Sequence, residues 1–300
     1  MSMHLKMSNN FVRLCFLIIY IMFVAHQIQG GGFHLTNHDV NMIAVHETYE
    51  GSYYGFVCTM DVYGFDFNYG QRTLSSIWIV NTLIENDLEE NAIMIGWQVN
   101  PELYGDSHTH FFTYWTRDSY QTTGCFDMIC PGFVLTQGSK IAPGDVINPV
   151  SDVNGARQKI TIKVFRDKFT GNWRIYYGFN SAPTAVGYYP SNLFTRLSDK
   201  ATNILFGGSA LATNGTKSPP MGSGLLPSIL SDKAATIEDI SLVEADGKMT
   251  PFDVNTVKKE TLSSCYAMTP IFGAQGARCL YGGPGGCRRH LVRQISSHII

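Results

Sequence analysis

Charge is scarce in this sequence: Asp, Glu, Lys and Arg make up 15% of 300 residues, and the two signs nearly cancel at −2. No basic cluster stands outside a short C-terminal stretch, so the electrostatic footprint of a nucleic-acid binder is missing and no nucleic-acid partner is expected. Long apolar runs are missing too. The longest, Leu14 to Ala25, is twelve residues, whereas a membrane-spanning helix needs about 20. There is no Cys-x2-Cys pair to start a zinc site, and the glycines of residues 282–286 lack the Lys and Ser/Thr of a phosphate-binding loop. No coiled-coil heptad, internal repeat or low-complexity block occurs. No cofactor is expected.

Apolar residues, in contrast, reach 44% and aromatics 12%, enough to bury a sizeable core, and 29 glycines accompany them. That balance suits strands and tight turns better than helical bundles. At the N-terminus Lys6 and Arg13 precede the twelve-residue apolar run, and polar and small residues follow it up to Gly30. This layout predicts a signal peptide over residues 1–30 and therefore a secreted protein, extracellular or in the cell wall, with no membrane contact once the signal is removed. The chain then divides into a β-domain over 31–287 and a disordered basic tail over 288–300.

Setting aside Cys15, six cysteines remain for an oxidising compartment: Cys58, Cys125, Cys130, Cys265, Cys279 and Cys287. Cys125 and Cys130 enclose a four-residue loop that a local bridge could close. Asn214 opens the one glycosylation sequon, Asn-Gly-Thr, in a polar stretch that reads as a surface loop.

Several segments alternate with period two. Ile93, Ile95, Trp97 and Val99 fall on one face of a strand, and Met94, Gly96 and Gln98 on the other. Residues 75–81, 110–116, 159–165 and 173–178 read the same way, and turn signals such as Asn154-Gly155 and Thr170-Gly171-Asn172 separate them. One short helix is predicted over 190–203. The expected fold is all-β: two antiparallel sheets packed as a β-sandwich, each with one dry and one wet face, the wet concave face forming a groove for an extended polymer.

Chemical motifs are few. Gly207-Gly208-Ser209-Ala210-Leu211 falls one glycine short of a nucleophile elbow. His108 and His110, two apart on a strand, could share a metal but read more simply as surface imidazoles. Glu102 and Asp106 flank a turn, where acids can be held close for proton transfer, although turn carboxylates more often cap backbone N–H groups. Glu89 and Glu90 read as the solvated end of a loop.

Eight ordered strings carry more information than any single motif: GWQVNPELYGD (96–106), FFTYWTRDSYQTTGC (111–125), CPGFV (130–134), GNWRIYYG (171–178), VGYYPSNLF (186–194), FGG (206–208), PMGSG (220–224) and YGGPGG (281–286). Together they resemble the plant neprosin family over nearly the whole mature chain. The resemblance implies a secreted β-sandwich glutamic endopeptidase that cuts after proline at acid pH, with two glutamates facing each other across a cleft. It also implies disulfides pairing Cys125 with Cys130 and Cys265 with Cys287, while Cys58 and Cys279 either pair with each other or stay as buried thiols.

The family's two glutamates map onto Met94 and Ser209, neither of which can act as a carboxylate acid or base. The expectation is therefore an impaired enzyme that binds or sequesters a proline-containing peptide, with Trp97, Gln98, Tyr114 and Trp115 as binding candidates. An active endopeptidase using Glu102 or Asp106, and a binder of cell-wall glycan polymer, are the alternatives. Family members carry an activation segment before the domain. Here about ten residues separate Gly30 from the first matching strand, so the segment is either lost in this member or omitted from this sequence.

Overall fold

The computed structural model describes residues 40–82, 89–213, 216–228, 233–273 and 276–287. The predicted signal peptide, the sequon residue Asn214 and the basic tail lie outside them. Strands dominate, in two antiparallel sheets. The seven-stranded sheet runs β15 (Thr256–Glu260), β1 (Val40–Thr48), β11 (Asn203–Ala212), β3 (Gln71–Asn81), β4 (Asn91–Val99), β5 (Thr109–Thr116) and β6 (Cys125–Phe126). The second sheet runs β12 (Met221–Gly222), β17 (Ala277–Gly283), β13 (Ala235–Val243), β2 (Gly55–Asp61), β8 (Lys159–Arg166), β9 (Trp173–Phe179), β10 (Thr184–Tyr189) and β7 (Val134–Leu135), with β14 (Met249–Pro251) on β13 and β16 (Ala267–Met268) on β17. This is the expected sandwich, and its strands contain all five segments that alternate in the sequence.

The core lies between the sheets. Ile77 and Ile79 of β3, Ile93, Ile95 and Trp97 of β4, and Phe206 of β11 meet Phe56, Ile160, Ile162, Val164 and Ile175 of the second sheet. The outer face of the second sheet is wet, as the alternation of buried and half-exposed residues along β8 and β9 shows. The outer face of the seven-stranded sheet is not, which corrects the expectation of a wet groove. All nine residues of β4 and all eight of β5 are buried. The reason is composition. Ile43, Val45, Leu74, Trp78, Val80, Met94, Phe112, Tyr114 and Leu205 form a second apolar cluster there, together with Tyr120 and Phe126.

The predicted helix over 190–203 is also replaced. A short 3-10 turn at Ser191–Leu193 leads into irregular chain, and Asn203 already begins β11. Non-local partners outcompete the helix. The side-chain oxygen of Asn91 accepts from the backbone N–H groups of Arg196 and Leu197 at 2.8 and 3.3 Å, and Ala201 bridges to Tyr53. Such bonds satisfy backbone donors that a helix would otherwise pair internally.

Both disulfides implied by the resemblance are present, Cys125–Cys130 and Cys265–Cys287, with Cα atoms 6.1 and 6.4 Å apart. Cys58 and Cys279 are buried free thiols, on β2 and β17 with β13 between them. Strands two places apart in a sheet are separated by about 10 Å, beyond disulfide reach.

Candidate functional site

The register of the seven-stranded sheet places Met94 and Ser209 on the same outer face. Met94 lies opposite Trp78, and Trp78 opposite Leu205. Gln98 lies opposite Leu74, and Leu74 opposite Ser209. Between these two rows runs a third, Gly207–Ser76–Gly96, floored by closely approaching backbones. A Cβ on Gly96 would come within 1.9 Å of the Ser75 carbonyl oxygen, and one on Gly207, whose φ is +151°, within 2.3 Å of the Ala44 oxygen. Only glycine permits this approach. Along the outward positions of β3, β4 and β11 stand Arg72, Leu74, Ser76, Trp78, Val80, Ala92, Met94, Gln98, Leu205, Ser209 and Leu211, with no carboxylate among them. Ser209 donates its hydroxyl proton to the Asn41 side-chain oxygen. It sits mid-strand, without the strand-turn-helix setting of a nucleophile elbow.

Of the four predicted binding residues, the structure brings Gln98 and Tyr114 to this face and turns Trp97 and Trp115 away from it. Period two decides the matter. Trp97 is fully buried between the sheets and donates its indole N–H to the Asp61 carbonyl at 2.8 Å, and Trp115 belongs to the same inter-sheet core.

One end of the face carries a polar network. Asn100 caps the single-turn helix Pro101–Tyr104, and Gly105, in the left-handed region at φ +79°, ends it. This turn brings the Tyr104 hydroxyl back over the sheet, where it accepts from the Gln98 amide at 3.0 Å and donates to Asp127 Oδ2 at 2.8 Å. The other carboxylate oxygen of Asp127 accepts the Thr113 backbone N–H at 2.9 Å. Burial pushes the Asp127 carboxyl up to about 6, against the lowering effect of those two hydrogen bonds and of nearby His110.

His110 is not the surface imidazole the sequence suggests. It is buried, and its ring stacks on Tyr104 with centroids 3.8 Å apart and planes within 9°. Its Nδ1 faces the Gly144 carbonyl at 2.7 Å and its Nε2 faces Asp106 Oδ1 at 3.0 Å. Both nitrogens meet acceptors. His108, by contrast, is exposed.

Asp106 behaves as a capping residue. Its carboxylate accepts the His108 backbone N–H at 2.8 Å. Partial burial raises its pKa, but the hydrogen bonds from His110 and His108 outweigh that effect and hold it below the ordinary carboxylate range. A depressed carboxyl is a poor proton donor, which weakens the case for Asp106 as a substitute acid. Glu102 lies in the first turn of the short helix. Glu90, expected in solvent, is buried, while Glu89 is exposed and paired with Arg196. Among the described residues no group of three or more metal-ligating side chains converges.

Sequence reasoning missed Asp127 and Tyr104. Their partners come from β4, from the turn after it, from β5 and from the segment after β6, so no local spacing marks them. Beyond the turn, Gly64, Asp66, Ser107, His108, Val146 and Val150 line an open depression of about 500 Å³.

Solved structures to which this chain shows similarity include Scytalido-glutamic peptidase bound to a peptide-based transition-state analogue, 12% identical over 82% of this chain and 98% of that one, with a TM-score of 0.39. SCP-B, a member of the Eqolisin family of peptidases in complex with the tripeptide Ala-Ile-His, is 11% identical over 80% of this chain and 98% of its own, with a TM-score of 0.37. A β-porphyranase from the human gut bacterium Bacteroides plebeius is 8% identical over 60% of this chain and 67% of its own, at a TM-score of 0.27. The Neprosin family model matches residues 69–284, a span that takes in β3 to β17 and the whole outer face apart from β1. The chain belongs to the Neprosin family.

Proposed function

We propose that this protein is a secreted member of its family that binds proline-containing peptides on the outer face of the seven-stranded sheet and has lost the family's carboxylate-based peptide hydrolysis. One observation carries the reading: Met94 and Ser209, the positions that the sequence resemblance aligns with the two family glutamates, lie on one face, and no outward residue of β3, β4 or β11 is a carboxylate. General acid–base groups contribute typically about 10² to 10⁴ each in rate, so losing both removes most of the catalysis by that route. The apolar cluster of Leu74, Trp78, Met94 and Leu205 suits the pyrrolidine ring of proline, and the Gly207–Ser76–Gly96 row carries no bulky side chain to obstruct an extended main chain.

The test is direct. The protein purified from the medium of secreting cells is titrated with proline-rich peptides between pH 4 and 7 by calorimetry, and the peptides are then examined for cleavage by mass spectrometry. Saturable binding without cleavage is the expected result. Turnover after proline that survives alanine substitution of Met94 and Ser209 would establish an active enzyme using other groups. Absence of any binding would remove the peptide reading altogether.

A further inference from the structure

The polar network beside the outer face has a direction. The Leu103 backbone N–H donates to Asn100 Oδ1 at 3.4 Å, Asn100 Nδ2 donates to Gln98 Oε1 at 3.4 Å, Gln98 Nε2 donates to the Tyr104 hydroxyl at 3.0 Å, and that hydroxyl donates to Asp127 Oδ2 at 2.8 Å. Every link points the same way, from the N-cap of a helical turn to a carboxylate whose second oxygen is already held by Thr113 N–H. A carboxylate only accepts, whereas a carboxylic acid must also donate. A proton on the Asp127 Oδ2 lone pair that accepts from Tyr104 meets the incoming hydroxyl proton, and the conflict is relieved when Tyr104 turns its hydroxyl toward Gln98. Gln98 must then offer its oxygen to Tyr104 and its NH₂ to Asn100, which opposes two donors where one donor and one acceptor stood. Turning each amide in succession relieves it, ending at the cap of the Pro101–Tyr104 helix.

We propose that Asp127 is the proton-sensing end of this hydrogen-bond chain, and that its protonation reverses the amide of Gln98 on the outer face and releases the Asn100 cap of the following turn. The inference goes beyond peptide binding and does not depend on it, since it concerns the polarity of groups within the fold. The geometry makes the coupling local. Tyr104 is held flat against His110, so its hydroxyl can rotate while its ring stays in place. The ionisable groups that bear on the chain are few. His110 from β5 faces Asp127 and lowers its pKa, and Asp106 from the turn holds His110 Nε2. Arg72 from β3 acts on Tyr104, and Tyr189 from β10 feels the charge of Asp127. Burial outweighs the lowering contacts and sets the Asp127 carboxyl near 6, which places the reversal between neutral and mildly acidic conditions.

Nuclear magnetic resonance tests this on the full chain. The Asp127 side-chain carboxyl resonance should titrate near pH 6, and the side-chain NH₂ resonances of Gln98 and Asn100 should shift with the same midpoint. The Asp127→Asn variant, whose amide presents an NH₂ to Tyr104 at all pH values, should show the acid-form Gln98 and Asn100 resonances already at pH 7.5. Tyr104→Phe keeps the ring on His110 but cuts the chain, so Asp127 should still titrate while Gln98 and Asn100 no longer follow it. This second variant decides the matter if Asp127→Asn fails to fold. A carboxyl titrating in the ordinary range near 4, or Gln98 resonances that move through pH 6 equally in wild type and Tyr104→Phe, would overturn the proposal.

Discussion

Met94 and Ser209 share a face but not a row: Met94 is aligned through Trp78 with Leu205, and Ser209 lies four residues further along the same strand. Two strand spacings and four residues of rise put the backbones about 10 Å apart across the sheet and about 13 Å along it. Side chains at these positions approach only by leaning over the row between them, into which Gly96 and Gly207 project no side chain. A substrate segment and a water would occupy the same gap. Met94→Glu combined with Ser209→Glu is therefore expected to restore measurable cleavage after proline at acid pH, and either single substitution to give at least about tenfold less, because paired catalytic groups act as a unit. Peptide turnover followed from pH 3.5 to 7.5 checks it.

The same substitution has a structural cost that the strand pattern alone does not reveal. Met94 sits in the apolar cluster with Trp78 and Tyr114 rather than in water, so a carboxylate there is disfavoured and its folded-state pKa is raised. Stability contributed by a raised carboxyl is present below its unfolded value near 4.3 and is lost as pH rises through the folded value. Met94→Glu should thus lower stability by roughly 1–3 kcal/mol at pH 7.5 and by less at pH 4.5. Urea denaturation at the two pH values measures the difference.

How far the sequence foretold this site depends on the element. Alternation in residues 93–99 placed Met94 and Gln98 together and opposite Ile93 and Ile95, as found, because period two needs only the strand itself. The dryness of the outer face was not legible, since it depends on Trp78, Tyr114 and Phe126 meeting from three strands. His110 looked like a surface residue because its burial comes from Tyr104 and the Gly144 carbonyl, neither of which its own strand supplies. The helix expected over 190–203 failed for the same reason: the Asn91 side chain that competes for its backbone lies about a hundred residues away.

Asp61 and Arg157 form the most exacting ion pair of the core. Asp61 is fully buried, and its Oδ2 accepts from Arg157 Nη1 at 2.5 Å and from the Thr236 backbone and hydroxyl, each at 2.9 Å. Burial raises the Asp61 pKa even against these partners. Arg157→Ala leaves a buried charge uncompensated and should cost about 3–5 kcal/mol at neutral pH. The loss should shrink as the medium is acidified and Asp61 takes up a proton. Equal destabilisation at pH 7.5 and 4.5 would show that lost packing, not charge, is responsible.

The two disulfides should differ in worth. Cys265–Cys287 closes a separation of 22 residues and Cys125–Cys130 one of 5. On the chain-entropy account these correspond to about 3 and about 2 kcal/mol. Paired Cys→Ala variants compared by guanidinium denaturation should rank in that order, with non-reducing peptide mapping confirming that the remaining bridge is intact. A larger loss at the short loop would point to packing around Cys125, which lies in the core cluster.

The pH dependence of stability is pulled in opposite directions by His46 and Asp127. His46 is buried, with Nε2 against the Thr269 carbonyl at 2.9 Å and Nδ1 against the Thr256 hydroxyl at 3.0 Å, a pairing that suits the neutral ring. Burial lowers its pKa, outweighing the raising effect of the Thr269 carbonyl. Its contribution is present above the unfolded value near 6.5 and is lost as pH falls from there. His46→Gln, which keeps a donor and an acceptor, should flatten the decline in melting temperature below pH 6.5.

Asp127 has the reverse sign. Its carboxyl, raised to about 6 by burial, binds a proton in the fold where the unfolded chain does not, so its contribution is full below about 3.8 and is lost as pH rises through 6. Above that pH the carboxylate is held by Tyr104 and Thr113 but still pays for its desolvation. Asp127→Asn removes the charge and should stabilise the protein by roughly 1–3 kcal/mol at pH 7.5, the span of that shift less the cost of reversing the hydrogen-bond chain. At pH 3.5 the advantage should nearly vanish, because wild-type Asp127 is then neutral in the fold and mostly protonated in the unfolded chain. Denaturant midpoints at the two pH values decide between this and a carboxylate that Thr113 and Tyr104 fully compensate, for which the variant would be less stable at pH 7.5.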